Sequence, residues 1–396
     1  MMPNDPHAGS IRPAYLDNQA TTRCDPRVLA AMLPWFSEAY GNPASAEHEM
    51  GRAAAGAVNR ARAQVASLIG ADSKEIIFTS GATESNNIAI KGATRYARAA
   101  GDPRRRIVTL VTEHKCVLEC FADAAEEGFD PLFLPVRPDG LLDPERLREA
   151  LAVPTLLVSI MAVNNETGVI QDLPALTAIT KRAGALFHTD AAQATGKIPI
   201  AVGWGIDLLS LSGHKLYGPK GIGALYVRRR PRVRLSPLFS GGGQERGLRS
   251  GTLPAPLIVG LGEACRCAQE EMEQERDRLL HLRDRLLSRL RAAIPGLQVN
   301  GSMENRIAGN VNITFPDVTA AAIMASAPDL CVSTGSACSS AAIEPSYVLR
   351  ALGLSRAEAA RTLRIGIGRF TSPADIDYAA AVFIAAHRQA LELAEA

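Results

Sequence analysis

From residue 75 to 227 the chain alternates between short apolar runs and longer stretches with apolar residues at helical spacing. The runs fall at 75–79, 107–112, 131–136, 155–163, 185–189, 207–212 and 223–227. Several are apolar throughout rather than at every second residue, the pattern of strands covered on both faces. The expected fold class is therefore α/β, a mostly parallel sheet flanked by helices. Beyond residue 230 the texture changes. Gly241-Gly242-Gly243 leads to Ser250-Gly251-Thr252, and a long helical pattern covers 256–293. Its second half, rich in Arg and Glu, reads as a solvated helix face. Strand patterns follow at 297–300, 310–315, 330–333 and 363–367, then a last helix at 373–395. These predict a smaller α+β domain. The division expected is a loose leader over 1–14, a large domain over 15–255 and a small C-terminal domain over 256–396. The 15–30 stretch is placed so that it can join the smaller unit.

Composition narrows the function classes. Hydrophobic residues make up 47% and charged residues 21% of 396 residues, as in ordinary globular chains. A formal net charge of +2 gives no reason to expect nucleic acid or an anionic membrane as partner. No apolar run approaches the roughly 20 residues of a membrane span. The start lacks the apolar stretch of a secretory signal, so the chain reads as cytoplasmic. Seven cysteines, with spacings that match no common zinc pattern, argue against a disulfide framework and a metal site. Most are expected to be small buried apolar residues, Cys331 among them as a strand residue. Only seven of the 43 basic residues are lysines, so each lysine near a motif is informative.

In open parallel sheets, ligands sit beyond the carboxyl ends of the strands. The unusual polar residues fall at those ends. They are Ser80-Gly81-Ala82-Thr83-Glu84-Ser85-Asn86-Asn87, Glu113-His114, Asn164-Asn165-Glu166-Thr167-Gly168, Asp190-Ala191-Ala192-Gln193 and Gly213-His214-Lys215. One such ending would be a loop; five in succession suggest a shared site. Gly81-Ala82-Thr83 at a helix start offers backbone N–H groups and a hydroxyl to a phosphate. The same residues also suit an ordinary helix cap. Lys215, directly after an apolar run, is expected to be desolvated, with an amine available for a Schiff base. Lys220 is its rival, in the turn Gly218-Pro219-Lys220-Gly221 where solvent exposure is expected. Asp190 ends a strand as a lone carboxylate, suited to a cationic ring nitrogen or to capping the next segment. His114 can stack on a planar ring, move protons, or serve structure alone.

Together these motifs resemble the cysteine desulfurases, in the class V branch of the fold-type-I pyridoxal-phosphate (PLP) enzymes. The resemblance runs from Tyr15 to about Ala385. It includes Tyr15-Leu16-Asp17-Asn18-Gln19-Ala20-Thr21-Thr22, Gly41-Asn42-Pro43-Ala44-Ser45, Thr112-Glu113-His114-Lys115, Ser212-Gly213-His214-Lys215, Arg249-Ser250-Gly251-Thr252 and Thr334-Gly335-Ser336-Ala337-Cys338-Ser339-Ser340. The surroundings of Cys338 are similar to the iron–sulfur-cluster and nitrogen-fixation type. The resemblance implies that Lys215 carries PLP as a Schiff base and that Asp190 pairs with the pyridinium. It places Gln193 and Asn165 at the ring hydroxyl side, with His114 stacked on the ring. Ala82, Thr83, Ser212 and His214 would hold the phosphate, and Thr252 would reach the phosphate of a neighbouring subunit, hence a homodimer. Arg364, with Asn42 and Asn165 nearby, would bind the substrate carboxylate.

Cys338, among small neighbours expected to form an exposed loop, would take sulfur from L-cysteine as a persulfide, leaving alanine. It is also the one residue for which transient iron–sulfur ligation is foreseen; no other metal is. Sulfur-acceptor proteins, scaffolds or thiolation enzymes, would be the partners. Three features depart from the pattern: Ser340 where threonine is usual, Ala320-Ala321-Ala322 where acidic residues are frequent, and a short C-terminus where some relatives dock a scaffold. The competing readings are a class V aminotransferase, which needs no such cysteine, a selenocysteine lyase, and a PLP-binding interaction module without turnover.

Overall fold

The computed structural model describes residues 13–334 and 346–395. Cys338 and most of the expected leader lie outside the described residues.

Seven strands form the large sheet. Their order is Ile76–Thr79, Gly223–Val227, Leu208–Ser212, Leu186–Asp190, Thr155–Ser159, Arg106–Leu110 and Asp130–Leu134. Gly223–Val227 runs antiparallel to its two neighbours, while every other pairing is parallel. Six strands therefore point their carboxyl ends to one edge. The apolar runs explain the burial. Alternate residues of a strand face opposite sides, and here both sides are cores. Val108, Val158 and Leu209 join one cluster with Val65, Ile69 and Ile258. Their neighbours Ile107, Leu157 and Leu208 join the other with Ile88, Val117 and Phe121. Each such side chain stabilises the fold by about 1.5–3 kcal/mol on burial.

The smaller unit holds a three-stranded antiparallel sheet in the order Thr362–Gly366, Asn310–Thr314, Gln298–Val299. Ala14–Tyr15 pairs in parallel with Leu330–Cys331. Leu16, Val311, Ile365 and Phe383 belong to its core. The N-terminal stretch divides, because Val28 and Met32 pack in the large core while Leu16 packs in the small one. The helix Ala255–Ala293 spans both units. Ile258, Leu261 and Cys265 lie in the large core, whereas Leu279, Leu286 and Leu290 lie in the small one. The change of core thus falls inside this helix, and the 255/256 break expected from texture coincides with its start. Cys331 is in a strand as expected, but it is half-buried rather than buried. Its two-residue strand has too few neighbours to cover it.

Candidate active site

Five turns at the carboxyl edge of the large sheet send polar side chains into one cavity of about 560 Å³. Ala82, Thr83, His114, Asn165, Asp190, Gln193, Ser212, His214, Lys215 and Arg364 all line it. Asn42 and Thr252 do not. Asn42 is exposed, with Oδ1 accepting from the Ala44 amide at 2.9 Å, and Thr252 is exposed as well.

The helix Ala82–Ala99 begins at the cavity with no side-chain cap. Its first N–H groups have no helical acceptor, so they offer an anion site strengthened by the helix dipole. Gly81 makes the entry with φ +154° and ψ −177°, a conformation that side chains essentially exclude. A Cβ placed there would sit 3.8 Å from the Ser212 hydroxyl, so Ser212 flanks the same helix start. His214 is braced through Nδ1 by the Thr21 hydroxyl at 3.1 Å. Burial, helped by Lys215, Lys220 and Lys197, pulls its pKa down to about 4. It is therefore a neutral hydrogen-bonding group near neutrality.

Asp190 is 6% exposed. Its Oδ2 accepts from Asn86 Nδ2 at 2.7 Å, and its Oδ1 from the Ala192 amide at 2.9 Å. The second of these bonds satisfies the capping alternative, and the first holds the carboxylate at the cavity floor. Lys215 donates to the backbone carbonyls of Gln19 and, at 2.7 Å, of Ala20. Gln193 Nε2 also donates to the Gln19 carbonyl, at 2.8 Å. Lys220 is exposed in its turn, at the rim.

His114 caps the helix Lys115–Glu126, its Nδ1 accepting from the Cys116 amide at 3.2 Å. Burial lowers its pKa against the pull of Asp190, and Lys215 and Lys115 add to the lowering. Arg364 reaches the cavity from the small unit and is only 2% exposed. One amino group donates to Asp17 at 2.8 Å and the other to the Asn165 carbonyl at 3.0 Å, while Nε is buried without a partner. Asn165 Oδ1 is likewise buried and unpartnered. Buried polar atoms without partners are costly. Both of these atoms belong to residues that line the cavity.

These residues fit PLP. They bring an uncapped helix start with Ser212 and His214 for a phosphate, Asp190 for a protonated ring nitrogen, Lys215 for an aldehyde, and His114 for a ring face.

Several lining residues carried no role in the sequence reading. Gln19 and Glu166 lay inside motifs but were given none, and Cys116 and Tyr347 were not singled out. Asp17 and Asn86, also inside motifs, stand behind the lining as partners of Arg364 and Asp190. Asn86 could have been found, because a fully buried amide in a helix interior is unusual unless something binds it. The carbonyls of Gln19 and Ala20 could not, since backbone oxygens leave no mark in sequence.

The family model for aminotransferase class-V matches residues 14–379. The chain is similar to cysteine desulfurase IscS of Rickettsia bellii, 52% identical over 93% of this chain and 90% of that one. Among solved structures it is similar to a NifS-like protein, with TM-score 0.86 and 36% identity over 96% of this chain and 99% of that one. It is also similar to SspA in complex with cysteine, with TM-score 0.80 and 39% identity over 90% of this chain and 99% of that one.

Proposed function

The chain belongs to the class-V aminotransferase family and is a PLP-dependent cysteine desulfurase, and from that premise we propose that it passes sulfur from L-cysteine to Cys338 as a persulfide. One observation carries the reading. A single cavity gathers Lys215, Asp190, His114 and Arg364 from four separate stretches of chain.

Bound PLP supplies an electron sink that stabilises charge on the substrate carbon. The protein's own groups do the rest. Arg364 takes the substrate carboxylate, for which a guanidinium fork can bond both oxygens. Lys215 would hold the cofactor at rest, and its amine would take the Cα proton of the bound substrate. Asp190, fixed by Asn86 and the Ala192 amide, keeps a proton on the ring nitrogen. Asn165 and Gln193 fix the ring hydroxyl side. Ala82, Thr83, Ser212 and His214 hold the phosphate, and Thr252 serves a second copy in a homodimer. Cys338 attacks the substrate sulfur as thiolate. An S–S bond forms, the substrate C–S bond breaks, and its electron pair stays with the carbon. That carbon, Cβ, takes a proton from solvent, the proton held by Lys215 returns to Cα, and the product leaves as alanine. A thiol-bearing acceptor protein then takes the sulfur from Cys338.

The described residues on either side of the Cys338 segment support this placement. Ser333 bridges to Arg364 in the backbone, and the Ser346 hydroxyl bonds Glu166 at 2.5 Å. Both partners line the cavity. Iron–sulfur assembly or thiolation of transfer RNA would consume the product. We place the reaction in the cytoplasm; no described helix is long and apolar enough to cross a membrane.

The test is incubation with labelled L-cysteine, followed by measurement of alanine and by peptide mass spectrometry after one turnover. Label should fall on Cys338 and be removed by dithiothreitol. Cys338→Ser should keep PLP and make almost no alanine. Cys116 is a poor rival, because burial and Asp190 push its thiol up to about 12. Alanine from Cys338→Ser with label on Cys331 would reject the nucleophile. Amino transfer to a keto acid would favour the aminotransferase reading.

A further inference from the structure

Cys116 Sγ lies between Asn86, which holds Asp190, and His114. Asn86 Nδ2 is 2.7 Å from Asp190 Oδ2 and 3.1 Å from Cys116 Sγ. An amide NH₂ has two hydrogens, and here each has one acceptor. The reverse amide orientation would set Oδ1 against a carboxylate oxygen with no proton between them. Asn86 Oδ1 is instead left buried without a partner. Because His114 Nδ1 accepts the Cys116 amide, the thiol is the donor in the 3.0 Å contact between Sγ and Nδ1. The Thr83 hydroxyl, a further neighbour of Sγ, is left to donate to the sulfur. Two donors on Nδ1 leave the ring proton on Nε2.

We infer that Cys116 is a positioning residue that, through Asn86, ties the anionic Asp190 to one tautomer of His114, leaving Nε2–H as the donor for the cavity. The catalytic meaning rests on the desulfurase reading; the direction of the bonds does not. The electrostatics agree. The Cys116 thiol is pushed up to about 12, so its hydrogen stays in place. Burial, with Lys215 and Lys115, lowers the His114 pKa against the pull of Asp190, which favours the neutral ring. The helix Ala82–Ala99 faces this cluster with the uncharged Asn86 and Thr83.

Ring-nitrogen NMR of protein labelled with ¹⁵N-histidine tests this, in unloaded and PLP-loaded enzyme. His114 is assigned among the seven histidines through His114→Gln. Wild type should show Nδ1 without a proton and Nε2 with one. Cys116→Val removes a donor that favours the neutral ring, so the His114 titration should rise by roughly half to one pH unit. The acid limb of kcat/KM should move with it. Cys116→Ser keeps a donor and an acceptor and should restore both. A proton on Nδ1, or a valine variant that titrates as wild type, overturns the inference. A protein that makes no alanine yet shows the locked tautomer in the unloaded state refutes the desulfurase reading and upholds this one.

Discussion

The two edges of the large sheet are built from the same polar residue types but close differently. At the amino edge the charges satisfy one another. Asp207, 4% exposed, accepts from the Phe187 amide at 2.8 Å and pairs with Arg228 at 2.8 Å. Arg228 spends another nitrogen on the Ile206 carbonyl at 2.7 Å. Arg106 pairs with Asp130 at 2.6 Å where two neighbouring strands begin. At the carboxyl edge the chain is left incomplete. Asn86 Oδ1, Glu113 Oε2 and Asn165 Oδ1 are buried without partners, and a helix starts uncapped. One edge is closed as structure. The other keeps an uncapped helix start at the cavity for a bound molecule and leaves buried polar atoms around it unsatisfied, at a cost in stability that satisfied groups do not incur.

The largest effect that would break this contrast belongs to Lys215. Lys215→Ala should abolish the Schiff-base absorbance and turnover, while Lys220→Ala, changed at an exposed position, should keep both. An unchanged spectrum in Lys215→Ala would move the chemistry off this edge. Next comes Arg364→Ala. Losing charge-assisted bonds to a carboxylate costs about 2–3 kcal/mol, so apparent cysteine affinity should fall roughly a hundredfold while PLP stays bound. Arg364→Lys should recover part of it. Loss of PLP with unaltered cysteine dependence, read by absorbance titration and KM, would assign Arg364 to the cofactor instead.

The contrast also explains what was legible in the sequence. All seven strands of the large sheet stand where apolar runs predicted them; in the central strands burial on both faces leaves a continuous apolar signal, whereas the edge strand Asp130–Leu134 is fully buried only at Leu134. The run at 155–163 is longer than its strand, Thr155–Ser159, because buried residues such as Ala162 and Val163 continue into the turn. The lining of the cavity was legible through strand-end position, as with Asp190 and Lys215. Their supports were not. Asn86 holds Asp190 across 104 residues of chain, and Asp17 holds Arg364 across 347. Such pairings depend on tertiary packing, which no local pattern encodes. The helix Ala255–Ala293 hid the change of core for the same reason, since its apolar face is continuous while the partner beneath it changes.

The smallest effect on turnover should come from the closed edge, and it is the most discriminating. Burial pushes the Asp207 carboxyl up, while the Phe187 amide and Arg228 pull it back. Asp207→Asn keeps an acceptor for the Phe187 amide but leaves the Arg228 guanidinium, 8% exposed, without its counter-charge. Removing one partner of a buried ion pair costs about 3–5 kcal/mol, mostly because the other charge stays buried. The urea midpoint should therefore drop clearly. Adding Arg228→Met should return part of the loss, since an apolar side chain of similar length needs no counter-charge. Through both changes the absorbance of bound PLP and the KM for cysteine should hold, because neither residue lines the cavity. If PLP affinity instead falls in step with stability, the closed edge is transmitting strain along the strand Leu208–Ser212 to Lys215, and the two edges act as one.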